Sequence, residues 1–270
     1  MNFIITQNGV SPSAEGKMLQ APNQRRVYEV IRLIDEIALF LEDHFDRLKS
    51  SVQMSGIHFE MGLPEFKQKI SALIEVNGQP SGNVKFILSE VEKTIQWSFS
   101  FIPHSYPTPD DYKNGVPTGL LMAERENPSA KVIQNTITEQ ANELIAEKKL
   151  HEVLLVDRNG MITEGSRSNV FFVKSEKFYT APANKVLAGV TRKKVMECLV
   201  ELDFQIIQET VPASEAGEFE AVFLTGTSPK VLPVNCIDNF KFTVNNPCVA
   251  KLMARYDSMI EAYLKSHRAK

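Results

Sequence analysis

The sequence predicts an α+β protein of two domains, and three observations support this prediction. The chain has 270 residues with an apolar share of 43%, which is enough to bury a substantial core without disulfides or metals. Stretches with the two-residue period of strands and the 3.6-residue period of helices are interleaved in both halves, without regular βαβ alternation. A segment rich in proline and glycine separates the two halves.

The first half begins with strands and continues with two helices. FIITQNG predicts a short strand that ends in a turn, and VYEVIRLIDEIALF predicts two strands joined near residues 34–36. LEDHFDRLKSSVQMSGI has apolar residues at spacings of four, three and four from Leu41 to Val52, which predicts an amphipathic helix. PEFKQKISALIEVNG predicts a second helix, with Pro64 in its first turn and Gly78 near its end. NVKFILS and TIQWSFSFIP predict the strands that follow.

The segment IPHSYPTPDDYKNGVPTG marks the predicted domain boundary. It contains four prolines and two glycines in eighteen residues, a composition that is typical of irregular connections. We therefore expect a small N-terminal α/β domain over residues 1–107, a linker over residues 108–117 and a larger C-terminal domain over residues 118–270.

The second half again mixes helices and strands. VIQNTITEQANELIAEKKL predicts a helix, and LLVD and NVFFVK predict a pair of strands around a polar turn that contains Glu164. TRKKVMECLVEL predicts a helix with Thr191 at its cap position, and EAVFLTGTS predicts a strand that enters a polar turn. The end of the chain predicts a terminal amphipathic helix.

Charge and composition argue against nucleic-acid and membrane partners. The formal net charge of −3 gives no basic footprint for nucleic acid and no polybasic patch for anionic lipid. No stretch approaches the roughly eighteen apolar residues of a membrane span, and no secretory signal pattern is seen, so we expect a cytoplasmic protein. Cys198, Cys236 and Cys248 lack CxxC pairing, which is typical of reduced structural thiols.

Several common catalytic motifs are absent from the sequence. GxGxxG, GxxxxGKS/T, HExxH and GxSxG are not found, so dinucleotide binding, P-loop hydrolysis, zinc proteolysis and a serine nucleophile elbow all lose support. The five histidines, at positions 44, 58, 104, 151 and 267, show no metal-ligand spacing. We therefore expect surface or packing roles for them and no metal.

Three polar turns in the second half carry groups that suit a charged ligand. EGSRSN contains a single acidic residue, Glu164, followed by small and amide side chains. VLAGVTRKK places a glycine before a predicted helix start, and FLTGTSPKV ends a strand in Gly226, Thr227 and Ser228. Such turns expose backbone N–H groups and hydroxyls that can hold a phosphate, although each alone is explained as readily by helix capping.

Together with these turns, five segments resemble the class IV, or fold-type IV, pyridoxal-phosphate enzymes. This family includes branched-chain aminotransferases, D-amino-acid aminotransferases and aminodeoxychorismate lyases. The resemblance implies a two-domain fold like that of D-amino-acid aminotransferase, with pyridoxal 5′-phosphate in the interdomain cleft. It also implies a homodimer in which the partner subunit completes the active site. The segments cover residues 27–234 in the family's order: VYEVIRLIDEIALFLEDHFDRLKSS, PSAKVIQNTITEQA, VDRNGMITEGSRSNVFFV, LAGVTRKKV and FLTGTSPKVLPV.

Lys131, in SAKVIQN, matches the family lysine that forms a Schiff base with the cofactor. An amine in this role condenses with the cofactor aldehyde, is displaced by the substrate amine and then moves a proton. Without the flanking match, Lys131 would be interpreted as a solvated lysine at a helix start. Lys148 and Lys149 are the nearby lysines against which the assignment should be tested.

Glu164 matches the family glutamate that lies beside the pyridine nitrogen. Its negative charge there favours the protonated ring and strengthens the electron sink, and the small residues after it let the ring approach closely. The alternative is a solvent-facing acid in a turn. Asn169 is expected to order this turn through hydrogen bonds from its side chain to the backbone.

The other matched positions are predicted to hold the cofactor and the substrate. Arg47, in HFDRL, matches an arginine that contacts the cofactor phosphate, although a plain surface role on the helix is also open. Tyr28 falls where the family has an aromatic residue on the substrate side of the pocket, and core packing is equally compatible. The resemblance assigns ring packing to Leu187 and phosphate contacts to Val190, Thr191, Gly226 and Thr227.

Departures from the family pattern concentrate in the substrate-facing parts. Relatives have an acidic, glycine-rich run upstream of VYEV, whereas this chain has QAPNQRR, so Arg25 and Arg26 are either solvated or directed at a substrate carboxylate. A TRG stretch expected near Phe101 is replaced by SFSFIPHSY. Arg167 stands in the EGSRSN turn instead of a small residue, and its charge is compatible with an acidic substrate.

The sequence therefore predicts a pyridoxal-phosphate-dependent aminotransferase that moves an amino group between an amino acid and a 2-keto acid through a Lys131 Schiff base. Two alternatives remain open. One is a lyase of the aminodeoxychorismate type, which uses the same lysine and releases pyruvate. The other is a degenerate relative that binds the cofactor without catalysing a reaction.

Overall fold

The structure, a computed structural model, describes residues 2–12, 26–91, 94–125, 128–132 and 135–268, and the chain forms two compact units. The first unit is Met1–Ser105 with Ala130–Ile133 and Ile260–Lys270, and the second is Tyr106–Ser129 with Gln134–Met259. The sequence predicted a first domain over residues 1–107. The two later segments of the first unit were expected in the C-terminal domain. They join the first unit through non-local contacts: Val132 bridges Val27, and the Tyr263 hydroxyl accepts a hydrogen bond from the Leu41 N–H at 3.1 Å.

The described part of the first unit contains a six-stranded antiparallel sheet and two helices. The order of the strands across the sheet is β2-β1-β6-β5-β3-β4. The helices are α1, Leu41–Ser55, and α2, Leu63–Asn77. The strands are β1 (Phe3–Thr6), β2 (Gly9–Pro12), β3 (Arg26–Ile34), β4 (Ile37–Ala38), β5 (Gly82–Val91) and β6 (Thr94–Ile102).

Helices α1 and α2 cover one face of this sheet, and aromatic residues fill the space between them. Phe66 of α2 is completely buried, and its ring centroid lies 5.4 Å from that of Phe45, 5.1 Å from Phe86 and 4.7 Å from Phe99. In β3, Val27, Ile31 and Leu33 belong to this core. Because side chains alternate along a strand, Tyr28 of β3 points to the opposite face of the sheet.

The elements predicted for the first unit are confirmed. The turn after β3 is formed by Asp35 and Glu36, both with positive φ, and it pairs Ile34 with Ile37. Helix α2 has proline in its first turn and ends at Gly78, whose left-handed φ of 58° suits glycine.

The second unit is built on a larger sheet. In the described residues ten strands are ordered β12-β11-β10-β14-β15-β7-β8-β9-β13, and β16 pairs with β15. Most pairs are antiparallel; β7 runs parallel to both β8 and β15, and β11 runs parallel to β12. The strands are β7 (Val116–Met122), β8 (Glu152–Val156), β9 (Met161–Gly165), β10 (Asn169–Lys174), β11 (Lys177–Thr180), β12 (Ile206–Gln208), β13 (Val211–Pro212), β14 (Ala221–Gly226), β15 (Lys230–Ile237) and β16 (Phe240–Lys241).

Helices accompany this sheet where the sequence predicts them, with one addition. The expected helices are α4 (Asn135–Lys148), α5 (Val190–Glu201) and α6 (Pro247–Arg268), of which the part from Ile260 belongs to the first unit. The addition is α3 (Pro109–Asn114), which lies inside the predicted linker 108–117. Thr108 and Asp111 form a capping box at its start, and β7 begins two residues after its end, so most of that segment is regular structure.

The strand pair predicted around Glu164 is wrong in one respect: LLV and VFFV are not partners. Between β8 and β10 the chain forms β9, which the sequence analysis did not predict. Strand β8 turns back onto β9 at Gly160, with φ 77°, whereas β10 pairs with β14. The short MITEG run lacks a clear apolar alternation, and its burial is decided by its neighbours in the sheet.

None of the helices in the described part of the chain is both long and apolar enough to cross a membrane. Within the same residues, no group of three or more His, Cys, Asp or Glu side chains is arranged to hold a metal ion. Cys198 and Cys248 are buried and Cys236 is half-buried, and all three are free thiols.

Candidate active site

Lys131 lies in an extended segment of the first unit, where its backbone is held on both sides. Its N–H donates to the Ser51 hydroxyl at 3.2 Å, and its carbonyl accepts from the Tyr28 N–H at 3.1 Å. The next residue, Val132, bridges Val27 of β3. Lys131 is half-buried and precedes the start of α4, so it is not the solvated helix-start lysine of the alternative interpretation.

The Tyr28 ring is flanked by two ammonium groups. Lys131 Nζ lies 4.5 Å and Lys85 Nζ 5.3 Å from the ring centroid, distances at which a cation is attracted by an aromatic face. Burial lowers the pKa of Lys85, and the positive charges of Arg26 and Lys131 lower it further. This face of the sheet therefore concentrates cations around Lys131. Tyr28 is half-buried and is not part of the apolar core.

Glu29, on the opposite face of β3, forms a buried ion pair with Arg47. Arg47 Nε donates to Glu29 Oε1 at 2.8 Å, and Nη2 donates to Oε2 at 2.6 Å. His44 Nδ1 lies 2.9 Å from Oε2. Burial alone would raise the pKa of Glu29, but the charge and hydrogen bonds of Arg47, aided by His44, lower it from 4.5 to about 2. Burial also lowers the pKa of His44, and the charges of Arg47 and Lys131 act in the same direction.

These contacts bear on two of the alternatives left by the sequence. The Arg47 side chain is only 8% exposed, so a plain surface role is wrong. Lys148 and Lys149 are exposed at the end of α4 in the second unit, and Lys148 Nζ lies 3.7 Å from Asp238. Neither has the backbone constraints that hold Lys131.

In the second unit, three groups orient the Glu164 carboxylate. Arg125 Nε donates to Oε1 at 2.9 Å; the Leu187 N–H and Asn169 Nδ2 donate to Oε2 at 3.0 and 3.3 Å. Glu164 is 3% exposed, so the alternative of a solvent-facing turn acid is wrong. Asn169 also donates to the Leu187 carbonyl at 3.0 Å, which is the side-chain to backbone bond expected of it.

Helix α5 begins close to this carboxylate, and its cap lies two residues earlier than expected. Its N-cap is Gly189 and not Thr191, which lies within the first turn, and no side-chain hydrogen bond caps this end. The glycine is required because a Cβ there would lie 2.1 Å from Asn169 Oδ1. Val190 and Thr191 are buried in the first turn of the helix.

Gly226 and Thr227 lie at the end of β14, beside the Glu164 turn. Gly226 pairs with Lys230 across the loop, and a Cβ on Gly226 would lie 3.8 Å from the Arg167 carbonyl oxygen. Strand β14 pairs with β10 such that Thr225 faces Asn169. The structure thus brings Glu164, Leu187, Val190, Thr191, Gly226 and Thr227 together within the second unit, and Tyr28, Arg47 and Lys131 within the first.

The chemistry of these groups fits pyridoxal 5′-phosphate. A helix start without a side-chain cap presents N–H groups to a phosphate, and the helix dipole favours its negative charge. A buried, oriented carboxylate suits a protonated ring nitrogen, and a lysine held by its backbone supplies an amine at a fixed place.

The structure locates two of the three arginines of uncertain role. Arg25 lies outside the described residues. Arg26 is buried at the start of β3, on the same face as Tyr28 and Lys85. Arg167 is exposed and its guanidinium donates to Asn142 of α4, so a role in substrate selection stays a prediction.

Four residues of these two groups were not predicted from the sequence: Glu29, His44, Lys85 and Arg125. A signal existed for Glu29, because it occupies a core-facing position between Val27 and Ile31. His44 and Arg47 also have the i, i+3 spacing that places both on one helix face. For Arg125 the sequence offers no local signal, since its partner Glu164 lies 39 residues away on another element.

Comparison with known proteins identifies a family and relatives of this chain. A family model described as amino-transferase class IV matches residues 26–237. The D-alanine aminotransferase of Bacillus licheniformis is 27% identical over 226 residues, which cover 78% of this chain and 78% of that protein.

Two solved structures share the fold. The T.th. branched-chain amino acid aminotransferase, solved with pyridoxamine 5′-phosphate, has a TM-score of 0.84 at 20% identity, and the match covers 97% of this chain and 95% of that one. A Legionella pneumophila protein assigned as a 4-amino-4-deoxychorismate lyase has a TM-score of 0.81 at 20% identity, with coverage of 90% and 92%.

Proposed function

Because the chain belongs to the class IV aminotransferases, a family that uses pyridoxal 5′-phosphate, we propose that it moves an amino group between an amino acid and a 2-keto acid. The observation that carries this proposal is the placement of Lys131. Its backbone is fixed by hydrogen bonds to Ser51 and Tyr28, and its amine lies 4.5 Å from the Tyr28 ring centroid.

Residues of the second unit bind the cofactor in this proposal. The N–H groups at the start of α5, with Gly226 and Thr227, hold the phosphate, and Leu187 packs on the ring. Glu164 accepts a hydrogen bond from the ring nitrogen while Arg125 and Asn169 keep its carboxylate in place. Bound pyridoxal 5′-phosphate supplies an aldehyde and an electron-withdrawing ring.

Residues of the first unit provide the amine and a cationic environment for it. Lys131 Nζ would hold the cofactor through its aldehyde and would carry a proton to and from the substrate α-carbon. Arg47 is held by Glu29 and contributes positive charge for the phosphate. Tyr28 lies beside the Lys131 amine and would line the substrate side of the site.

Lys85 and Arg26 support a substrate that carries a carboxylate. Both cations lie on the sheet face that also bears Tyr28, and the charges of Arg26 and Lys131 both lower the pKa of Lys85. Three positive charges at short range repel each other, and an anionic substrate relieves that repulsion. The proposed amino-acid and keto-acid substrates both provide this charge.

The second candidate function is a lyase that releases pyruvate from an aminated chorismate-like substrate. It is favoured by the shared fold with the Legionella pneumophila protein. Both reactions would use Lys131 and Glu164, so only the products distinguish them. The lyase forms pyruvate without a keto-acid acceptor, whereas the aminotransferase needs a second keto acid to complete its cycle.

The first test is the visible absorption of the protein with pyridoxal 5′-phosphate, before and after L-glutamate or D-alanine is added. We expect a visible band that is lost in Lys131→Ala and retained in the matched controls Lys148→Ala and Lys149→Ala. An amino donor should bleach the band, and a 2-keto acid should restore it.

The alternatives predict different outcomes of the same test. A Lys131-dependent band with pyruvate release and no need for a keto acid would establish the lyase. A band that no amine changes would favour the degenerate binding protein. If the wild-type protein forms no Lys131-dependent band, the proposed function is wrong.

A further inference from the structure

Glu152, at the start of β8, is a buried carboxylate to which the roles proposed above assign nothing. It is 5% exposed. Its Oε1 accepts hydrogen bonds from the Ser166 hydroxyl at 2.6 Å and the Val153 N–H at 2.9 Å. Its Oε2 accepts from the Ser168 hydroxyl at 2.9 Å and the Arg167 N–H at 3.1 Å. Four donors therefore converge on one side chain, three of them from the turn that follows Glu164.

That turn is closely packed. The Gly165 N–H donates to the Ser168 carbonyl at 2.7 Å, and the Ser166 N–H donates to the Val153 carbonyl at 2.9 Å. A Cβ on Gly165 would lie 2.1 Å from Ser168 Oγ and 3.1 Å from Glu152 Oε2. The carboxylate of Glu152 thus fills the inside of the turn and is in contact with its backbone.

The turn is connected to Glu164 through Arg125. Arg125 Nη2 donates to the Ser166 carbonyl at 2.6 Å, while its Nε donates to Glu164 Oε1 at 2.9 Å. Glu152 binds the groups on either side of that carbonyl, the Ser166 hydroxyl and the Arg167 N–H. The Arg167 N–H bound by Glu152 and the Ser166 carbonyl bound by Arg125 belong to the same peptide group.

We propose that Glu152 is a positioning residue that fixes the Glu164 carboxylate against the ring nitrogen of the cofactor, through the Ser166 carbonyl and Arg125. This inference rests on the proposed function, in which Glu164 contacts that nitrogen. Glu152 would act indirectly, by holding groups that in turn hold Glu164. In metal sites, loss of such a supporting group commonly weakens metal affinity about 10-fold to 100-fold.

Glu152→Gln tests the proposal with little change in shape. An amide has one acceptor oxygen and one NH2 donor, so one backbone N–H, that of Arg167 or of Val153, would face another donor, while the serine hydroxyl beside it can rotate and accept. The turn must then rotate, and the Ser166 carbonyl would release Arg125. We expect the dissociation constant for pyridoxal 5′-phosphate to rise about tenfold or more. We also expect the pH midpoint of the Lys131-dependent visible band to shift.

A second variant and a control accompany this substitution. Ser166→Ala with Ser168→Ala removes two donors but keeps the carboxylate, so it remains informative if Glu152→Gln fails to fold. It should raise the dissociation constant less than Glu152→Gln does. Glu147→Gln, an exposed acid on α4, is the matched control and should leave both quantities unchanged.

The outcomes separate this inference from the proposed function. A lower melting temperature in Glu152→Gln and in the double serine variant, with an unchanged dissociation constant and band midpoint, would show a structural role alone and overturn the inference. The same holds if both variants match the wild type in every measurement. A wild-type protein without the visible band would reject the proposed function and this inference together.

Discussion

At the residue scale, Glu29 is the clearest example of a charge that the fold must stabilise. Its pKa of about 2 lies below the ordinary 4.5 because Arg47 and His44 outweigh the cost of burial. The folded state therefore prefers the ionised form. The resulting stabilisation is complete above about pH 4.5 and is lost as the pH falls from there towards 2, and it is on the order of 3 kcal/mol.

Glu29→Gln should remove this dependence. We expect the free energy of unfolding of the variant to be lower at neutral pH, because Arg47 loses its charged partner, and to fall less steeply between pH 4.5 and 2. Urea denaturation at a series of pH values measures both quantities. Glu75→Gln, an exposed acid in the same unit, is the control. If the free energy of unfolding falls equally steeply with pH in Glu29→Gln and in the wild type, the lowered pKa of Glu29 is not the cause of the dependence.

Lys85 permits a test of substrate recognition at the same scale. If its ammonium binds a substrate carboxylate, Lys85→Met should raise KM for the amino donor about tenfold or more, the value of one charge-assisted hydrogen bond. The affinity for pyridoxal 5′-phosphate should not change. Steady-state kinetics and a cofactor titration separate the two effects, and Lys67→Met, an exposed lysine of α2, serves as control. An unchanged KM would exclude Lys85 from substrate binding.

At the scale of elements, the start of α5 depends on a glycine for reasons of space. Gly189→Ala places a Cβ 2.1 Å from Asn169 Oδ1, although its φ of −61° suits any residue. Asn169 must move, and it binds both Glu164 and the Leu187 carbonyl. We expect a loss of roughly 1–3 kcal/mol in stability and weaker cofactor binding.

Gly62→Ala provides a matched comparison, because Gly62 is the N-cap of α2 and a Cβ there meets only Pro64 Cδ at 3.6 Å. This variant should lose less than about 1 kcal/mol, the usual effect of replacing a capping residue. Thermal unfolding and cofactor titration of both variants test the argument. Equal losses in the two would show that general capping, and not the contact with Asn169, explains the glycine at 189.

An element can be predicted from the sequence when the residues that determine it lie within the element itself. Helices α1 and α2 were predicted because apolar spacing, Pro64 and Gly78 lie within the segments themselves. Strand β9 was missed because its place is decided by pairing with β8 and β13. The predicted linker instead contains α3 and the start of β7. Helix α3 can begin at Pro109 because proline is tolerated in the first turn of a helix, and β7 forms because Val116 pairs with Val234 of β15.

At the scale of the whole molecule, we propose that the chain works as a homodimer, as its resemblance to the family implies. Sedimentation of the cofactor-bound protein should give a species with twice the mass of the chain. Activity per chain should then fall on dilution below the dissociation constant of the dimer, because a site completed by the partner subunit is lost in the monomer. A monomer that retains full activity at all dilutions would contradict the proposal.

The sequence by itself determined the class of this protein, most of its helices and the positions proposed for the cofactor, because these depend on short motifs and local periodicity. Only the tertiary structure decided how those positions are supported. The Lys131 N–H donates to Ser51, 80 residues away, and Glu164 is held by Arg125 across 39 residues. Contacts of this kind arise when distant segments share a sheet, and no local pattern encodes them. The support that Glu152 gives to the Glu164 turn belongs to the same class, since it exists only once β8 and that turn are adjacent.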